Sequence, residues 1–142
     1  MIFDKPPENF KPSFEVATCL IKCSEKYLFV LRSEEEDYPN TWCLPGGKIE
    51  DGEADHDTII REVKEETGIN ANQVKLKDIF YVRYPDVDFI YHVFECDLEE
   101  MPEVKLNNEH SDFKWVTIKE AMKLNLILGE SESLRKIFSI NN

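Results

Sequence analysis

The apolar positions of this chain follow two periods, and the switches between them mark out its elements. Phe14 to Lys22 and Tyr27 to Arg32 are dense in β-branched, aromatic and aliphatic residues, which predicts two strands joined by a turn at Ser24-Glu25. Val74 to Tyr84 and Val87 to Leu98 have the same character on either side of Pro85-Asp86, a turn signal, and predict a long antiparallel hairpin. Between these pairs the period changes. Ile59, Ile60, Val63 and Thr67 recur at three- and four-residue intervals, so Asp55 to Thr67 reads as a helix. Asp55 and Asp57 suit its positive N-terminal end, and Gly68 suits the left-handed residue just past its C-terminus. Farther on, Phe113 to Val116 predicts a short strand, and Thr117 with Glu120 fits a capping box that opens a brief helix through Lys123. Leu134, Ile137 and Phe138 give a last helix its apolar stripe.

Composition narrows the class. The 142 residues have room for one domain with a real core, 1–142, whose first dozen residues form an extended, proline-rich arm. A net charge of −12 argues against a nucleic-acid polymer or an anionic membrane as partner, since both are bound through basic patches. The N-terminal stretch lacks a basic flank before an apolar core, and no apolar run reaches bilayer-spanning length. Cys19, Cys23, Cys43 and Cys96 sit in apolar, strand-like stretches rather than in short pairs. Buried reduced thiols in the cytoplasm are therefore expected, not a zinc site.

The chemistry concentrates between Gly47 and Ile69. On a helix, Glu62, Glu65 and Glu66 fall on a stripe beside the buried one, where like charges repel. A divalent cation with oxygen ligands relieves that repulsion, Mg²⁺ above all, because it binds through a few carboxylates, water and substrate phosphate. Arg61 stands at the edge of this face, and Glu53, ahead of the helix, can return to it as a bidentate partner that pins the loop. Pro45-Gly46-Gly47 supplies backbone that can approach a ligand closely. A merely solvated acidic face explains the glutamates but neither the glycines, Glu53 nor Arg61. The acids from Glu50 to Asp57 do not meet the calcium-loop pattern, and Gly46-Gly47-Lys48 lacks the upstream glycine and following Ser or Thr of a P-loop.

The segment resembles the box of the Nudix hydrolases: G, five residues, E, seven residues, then REUxEExGU with U aliphatic. Gly47, Glu53, Arg61, Glu62, Val63, Glu65, Glu66, Gly68 and Ile69 meet every specified position. Trp42 to Gly47 looks like the family's approach to the box, and Tyr27 to Arg32 like its preceding strand. The resemblance implies an α+β fold, an α/β/α sandwich around a mixed β-sheet, and Mg²⁺-dependent hydrolysis (Mn²⁺ as substitute) of a nucleoside diphosphate linked to a moiety X. By position, Glu62, Glu65 and Glu66 would hold metal with the Gly46 carbonyl, while Gly47, Glu53, Arg61 and Gly68 would support the site. Arg32 and Lys48 would meet substrate phosphate. Glu62 and Glu109, the latter in the loop Asn107-Asn108-Glu109-His110, are alternative general bases.

Short length and Tyr84-Pro85-Asp86 before an aromatic strand are similar to the MutT-like branch, which cleaves nucleoside triphosphates, oxidised ones included, to the monophosphate and pyrophosphate. ADP-ribose and dinucleoside polyphosphates are the alternative substrates, and a non-catalytic nucleotide-binding regulator on the same fold is the alternative of another class. A homodimer is compatible with either. The aromatics Trp42, Tyr81, Tyr84, Phe89, Tyr91 and Phe94 are read as core rather than as base-stacking groups. His56, His92 and His110 show no metal-ligand spacing and receive no chemical role.

Overall fold

A computed structural model describes residues 1–141. The strands are β1 (Ile2–Phe3), β2 (Pro12–Cys23), β3 (Lys26–Arg32), β4 (Trp42–Cys43), β5 (Gly46–Lys48), β6 (Lys75–Tyr84), β7 (Val87–Asp97) and β8 (His110–Val116). The helices are α1 (Asp55–Thr67), α2 (Ile118–Ala121) and α3 (Glu130–Ile137). The strands form one sheet of order β1-β6-β7-β2-β3-β4, with β5 added beside β2 and β8 beside β3. Only β2 and β7 run parallel among the paired strands described, so the sheet is mixed.

Each face of the sheet carries its own core. On one face α1 contributes Ile59 and Val63, packed on Ala17, Cys19, Ile21, Leu28 and Phe94. On the other, Ala121 and Leu134 of the later helices cover Leu20, Phe29, Phe80, Tyr91 and Val93. Helices on both faces of a mixed sheet are the α+β sandwich expected from the resemblance. The sheet aromatics Trp42, Tyr91 and Phe94 are buried in these cores, as their strand positions require.

Strand β2 is the axis of the molecule. From Pro12 to Lys22 one edge pairs with β7, while its other edge is divided: Val16, Ala17 and Thr18 pair with Lys48, Gly47 and Gly46, and Lys22 and Cys23 pair with β3. The β2–β3 turn places both Ser24 and Glu25 at positive φ, 50° and 67°, the geometry that a two-residue hairpin twist demands. The N-terminal residues do not run free, because β1 pairs with β6 and Ile2 enters the core.

The helix α1 has the predicted bounds. Gly68 takes φ 78°, and its N–H donates to the Lys64 carbonyl, which closes the last turn. The capping box at Thr117 and Glu120 is present in both directions. Strand β8 begins three residues earlier than the apolar pattern indicates, because it is an edge paired only with β3 and its outward residues stay polar. All four cysteines are buried and unpaired.

Candidate active site

The site forms where α1 crosses β5. Gly46 directs its N–H to Glu66 Oε1 at 3.1 Å. A strand residue points its N–H and C=O to the same side, so the Gly46 carbonyl lies on the Glu66 side too. Neither glycine leaves room for a side chain. A Cβ on Gly47 would lie 2.6 Å from the Glu62 carboxyl carbon and 2.7 Å from its Oε2, and one on Gly46 would meet the Ala17 carbonyl and lie 2.7 Å from Thr18 Cα.

The three box glutamates grade from core to solvent. Glu66 is 2% exposed, Glu62 is largely covered and Glu65 is exposed. Burial is the main cause that raises the carboxyl pKa of both Glu66 and Glu62. The two carboxyls also act on each other, an interaction that raises Glu66 and lowers Glu62. Glu109 adds to the negative field on Glu66.

Part of the positive charge that this crowding calls for comes from Arg61. Its Nε and Nη2 donate to Glu53 Oε2 and Oε1 at 2.9 and 3.0 Å, the bidentate pair read from the sequence. Its Nη1 also donates to Glu62 Oε1 at 2.8 Å and lies 3.4 Å from Glu65 Oε2. The hydrogen bonds from Arg61, then that from the Thr58 hydroxyl, hold Glu53 down at about 2. Arg61 does not reach Glu66, whose charge is left to another partner.

The outlying candidates divide. Glu109 comes back to the cluster in space: one oxygen of Glu66, one of Glu109 and one ring nitrogen of His110 all lie within 4.8 Å of one another. Arg32 lies close enough to His110 and Cys43 for its charge to act on both. Its Nε donates to the Asp37 carbonyl at 2.6 Å rather than toward the box glutamates. Lys48 stands over the Phe14 ring, its Nζ 4.4 Å from the centroid, and makes no ion pair with a box carboxylate. Chain distance misleads there, since alternation along β5 sets where Lys48 points.

Three groups carry structure that the sequence reading passed over. His110 is 6% exposed, and burial, followed by the Arg32 charge, lowers its pKa to about 4. His92 lies between two acids, Nδ1 at 3.0 Å from Asp55 Oδ2 and Nε2 at 2.6 Å from Glu15 Oε1, and so ties the start of α1 to β2 and β7. Glu130, at the start of α3, is buried. It accepts hydrogen bonds from the Tyr91 hydroxyl at 2.9 Å and the Ser133 hydroxyl at 2.6 Å, and from the Leu44 N–H, two residues before Gly46. The adjacency of His110 to Glu109 was the one local signal available; the other two depend on packing.

A cleft of about 670 Å³ lies elsewhere, lined by Arg83, Tyr84, Leu128, Gly129 and Arg135 among others, with none of the box residues. The carboxylate rim is instead open to solvent through Glu65 and Glu109.

The fold and the glutamate-lined crossing together define a hydrolase of phosphoric anhydride bonds. The NUDIX domain model matches residues 13–137, and the chain belongs to that family. It is 27% identical over 128 residues to the nucleoside triphosphatase NudI of Escherichia coli O139:H28, covering 82% of this chain and 90% of that protein. Among solved structures it is similar to a MutT protein from Methanosarcina mazei Go1, with a TM-score of 0.81, 26% identity and coverage of 91% and 95%. The NUDIX domain of Shewanella oneidensis NrtR, solved with ADP ribose, shares the fold at TM-score 0.77 and 17% identity, with coverage of 96% and 93%. The enzyme is thus of the class that acts on nucleoside triphosphates and other nucleoside diphosphate-X compounds.

Proposed function

We propose that this enzyme is a Mg²⁺-dependent, MutT-like pyrophosphohydrolase that cleaves a nucleoside triphosphate to the monophosphate and pyrophosphate. The observation that carries the reading is the buried Glu66 carboxyl, facing Glu62 and the Gly46 backbone with no cationic side chain in contact. Glu62, Glu65, Glu66 and the Gly46 carbonyl offer oxygen donors only, the set that suits a hard ion such as Mg²⁺, with Mn²⁺ as a substitute. A divalent cation held there supplies charge neutralisation at the phosphate oxygens and lowers the pKa of the attacking water.

The remaining work falls to the chain itself. Arg61 fixes Glu62 Oε1 and leaves Oε2 over the bare Gly47 backbone, where it can take a proton from attacking water. Of the two candidate bases we therefore assign Glu62, and Glu109 remains beside Glu66 at the rim. Glu53 and Gly68 hold the loop and the helix end that frame the glutamates. Arg32 lies beside His110 and would meet phosphate only after leaving Asp37; Lys48 is not assigned to substrate.

The relative described as a nucleoside triphosphatase supports the choice of substrate class. The four unpaired, buried cysteines support the cytoplasm as the working compartment. The test is a panel of nucleoside triphosphates, ADP-ribose and dinucleoside polyphosphates with Mg²⁺, read by pyrophosphate and phosphate release. Pyrophosphate from a triphosphate is the expected result, and turnover of ADP-ribose alone would overturn the substrate.

A further inference from the structure

Glu130 sits on the face of the sheet opposite α1, yet its partners lead back to Gly46. Its carboxyl is 4% exposed, and the groups that bond it are two hydroxyls and a backbone amide rather than a cation. An acid at that depth costs stability unless its lone pairs are met, and an apolar residue would anchor α3 without that cost. The bonds call for a reason beyond packing.

One route from Glu130 runs through side chains. The Tyr91 hydroxyl donates to Glu130 Oε1 at 2.9 Å and accepts from Thr18 Oγ1 at 2.9 Å. Thr18 lies opposite Gly46 in the β2–β5 pairing, and its Cγ2 is 2.9 Å from where a Gly46 Cβ would stand. Threonine carries its hydroxyl and methyl on one Cβ, so the bond that fixes Oγ1 also fixes the methyl against Gly46. A second route runs through the backbone. The Leu44 N–H bonds Glu130 two residues before Gly46, and Trp42 is strung onto the lead-in to α3: its N–H donates to the Asn125 carbonyl at 2.8 Å and its carbonyl accepts from the Ile127 N–H at 2.9 Å. Both routes end at the residue whose N–H meets Glu66.

We propose that Glu130 is a positioning residue for the reaction: through Tyr91 and Thr18, and through the Leu44 N–H, it seats the Gly46 backbone that faces the box glutamates. Helix α3 thereby takes part in the site from the far side of the sheet. The inference rests on the pyrophosphohydrolase reading, in which the Gly46 carbonyl is a cation ligand. Losing a group that orients a ligand without touching the ion changes affinity or activity by about 10- to 100-fold.

The experiment uses the whole protein and compares wild type with Glu130→Ala, Glu130→Gln, Tyr91→Phe, Thr18→Val and, as a control, Ser133→Ala, which removes only a bond within α3. Three quantities are read: the Gly46 amide resonance of metal-free protein, kcat and KM for the nucleoside triphosphates of the substrate panel with Mg²⁺, and the melting temperature. Glu130→Ala shifts the Gly46 resonance and lowers kcat by about 100-fold with KM nearly unchanged, and Glu130→Gln, which keeps one acceptor, recovers about 10-fold of that loss. Tyr91→Phe and Thr18→Val each shift the same resonance and lower kcat by about 10-fold, and the double variant is no worse than either alone, because both break one relay. Ser133→Ala melts lower but keeps the wild-type resonance and kcat. An unmoved Gly46 resonance in the Glu130, Tyr91 and Thr18 variants overturns the proposal, and so does a Ser133→Ala variant that loses as much kcat as they do. Should the Glu130 variants fail to fold, Tyr91→Phe and Thr18→Val decide by the same readings. Wild-type protein that hydrolyses no triphosphate refutes the functional reading alone, since the Gly46 resonance still tests the relay. Active protein whose Gly46 resonance ignores these substitutions refutes only the role of Glu130.

Discussion

Adding one methyl group at Gly47 should abolish most activity while the fold stands, and adding it at Gly46 should do damage of a different kind. A Cβ on Gly47 meets the Glu62 carboxyl at 2.6 and 2.7 Å, and an ordinary contact needs about 3.5 Å, so the carboxyl must retreat by about 1 Å. The obstacle is the free end of a flexible side chain, and Gly47 is not at positive φ, so the backbone accepts alanine. Stability should hold or rise by up to about 1 kcal/mol, because the unfolded chain loses freedom. A 1 Å misplacement of a reacting group costs on the order of 10²-fold in rate, about 2.7 kcal/mol of barrier. At Gly46 the same methyl meets the Ala17 carbonyl and Thr18 Cα, which are backbone of β2 and cannot turn aside. Overpacking of that kind costs about 1–3 kcal/mol or more. At about 3 °C per kcal/mol for a chain of this size, Gly46→Ala should melt about 3–9 °C lower. The assay pairs steady-state pyrophosphate release with thermal melting of both variants. Wild-type turnover in Gly47→Ala, or a drop in its melting temperature equal to that of Gly46→Ala, would refute the placement of Glu62 against that backbone.

Glu66→Gln should lower turnover by about 10³-fold while raising the melting temperature of metal-free protein at neutral pH. The sign follows from the raised Glu66 carboxyl: its contribution is complete below the unfolded value of 4.5 and is lost as pH rises through the folded one, and glutamine escapes that loss. A metal-free melting temperature lower than wild type at pH 8 would contradict it. Arg61→Ala should reduce both melting temperature and activity, since it leaves Glu53, Glu62 and Glu65 without their shared cation; full stability with no activity would move Arg61 into the chemistry itself. Glu53 titrates in the opposite direction, from 4.5 unfolded to about 2 folded, so its contribution is present above pH 4.5 and lost as pH falls to about 2. Acid denaturation of wild type and Glu53→Gln should therefore differ at pH 5 and converge near pH 2. Thr117→Ala removes the hydroxyl that accepts from the Glu120 N–H and should cost about 1 kcal/mol, read as a shifted denaturant midpoint.

What could be read in advance was local. The bounds of α1, its αL glycine and the Glu53–Arg61 pair depend on spacing within one segment, and spacing is what a sequence displays. The β6–β7 hairpin and the Thr117 cap belong to the same kind. Groups defined by distant partners stayed hidden. Glu130 looks like one more surface acid until α3 docks and Tyr91 rises beneath it from β7. His92 gains its two acids only from the parallel pairing of β2 with β7 and the seating of α1. Lys48 shows the converse: it is near the box in the chain, and the strand turns it onto Phe14. Glu109 and His110 reach Glu66 through the β3–β8 register, which places His110 opposite Arg32.

The divided edge of β2 ties two fates together. A slip of one residue along that strand would exchange the side chains that it offers to the two cores and, in the same movement, carry Gly46 and Gly47 away from the glutamates. Partly melted forms of this protein should for that reason lose cation affinity as soon as they lose their interior, so bound metal can report directly on the integrity of the sheet.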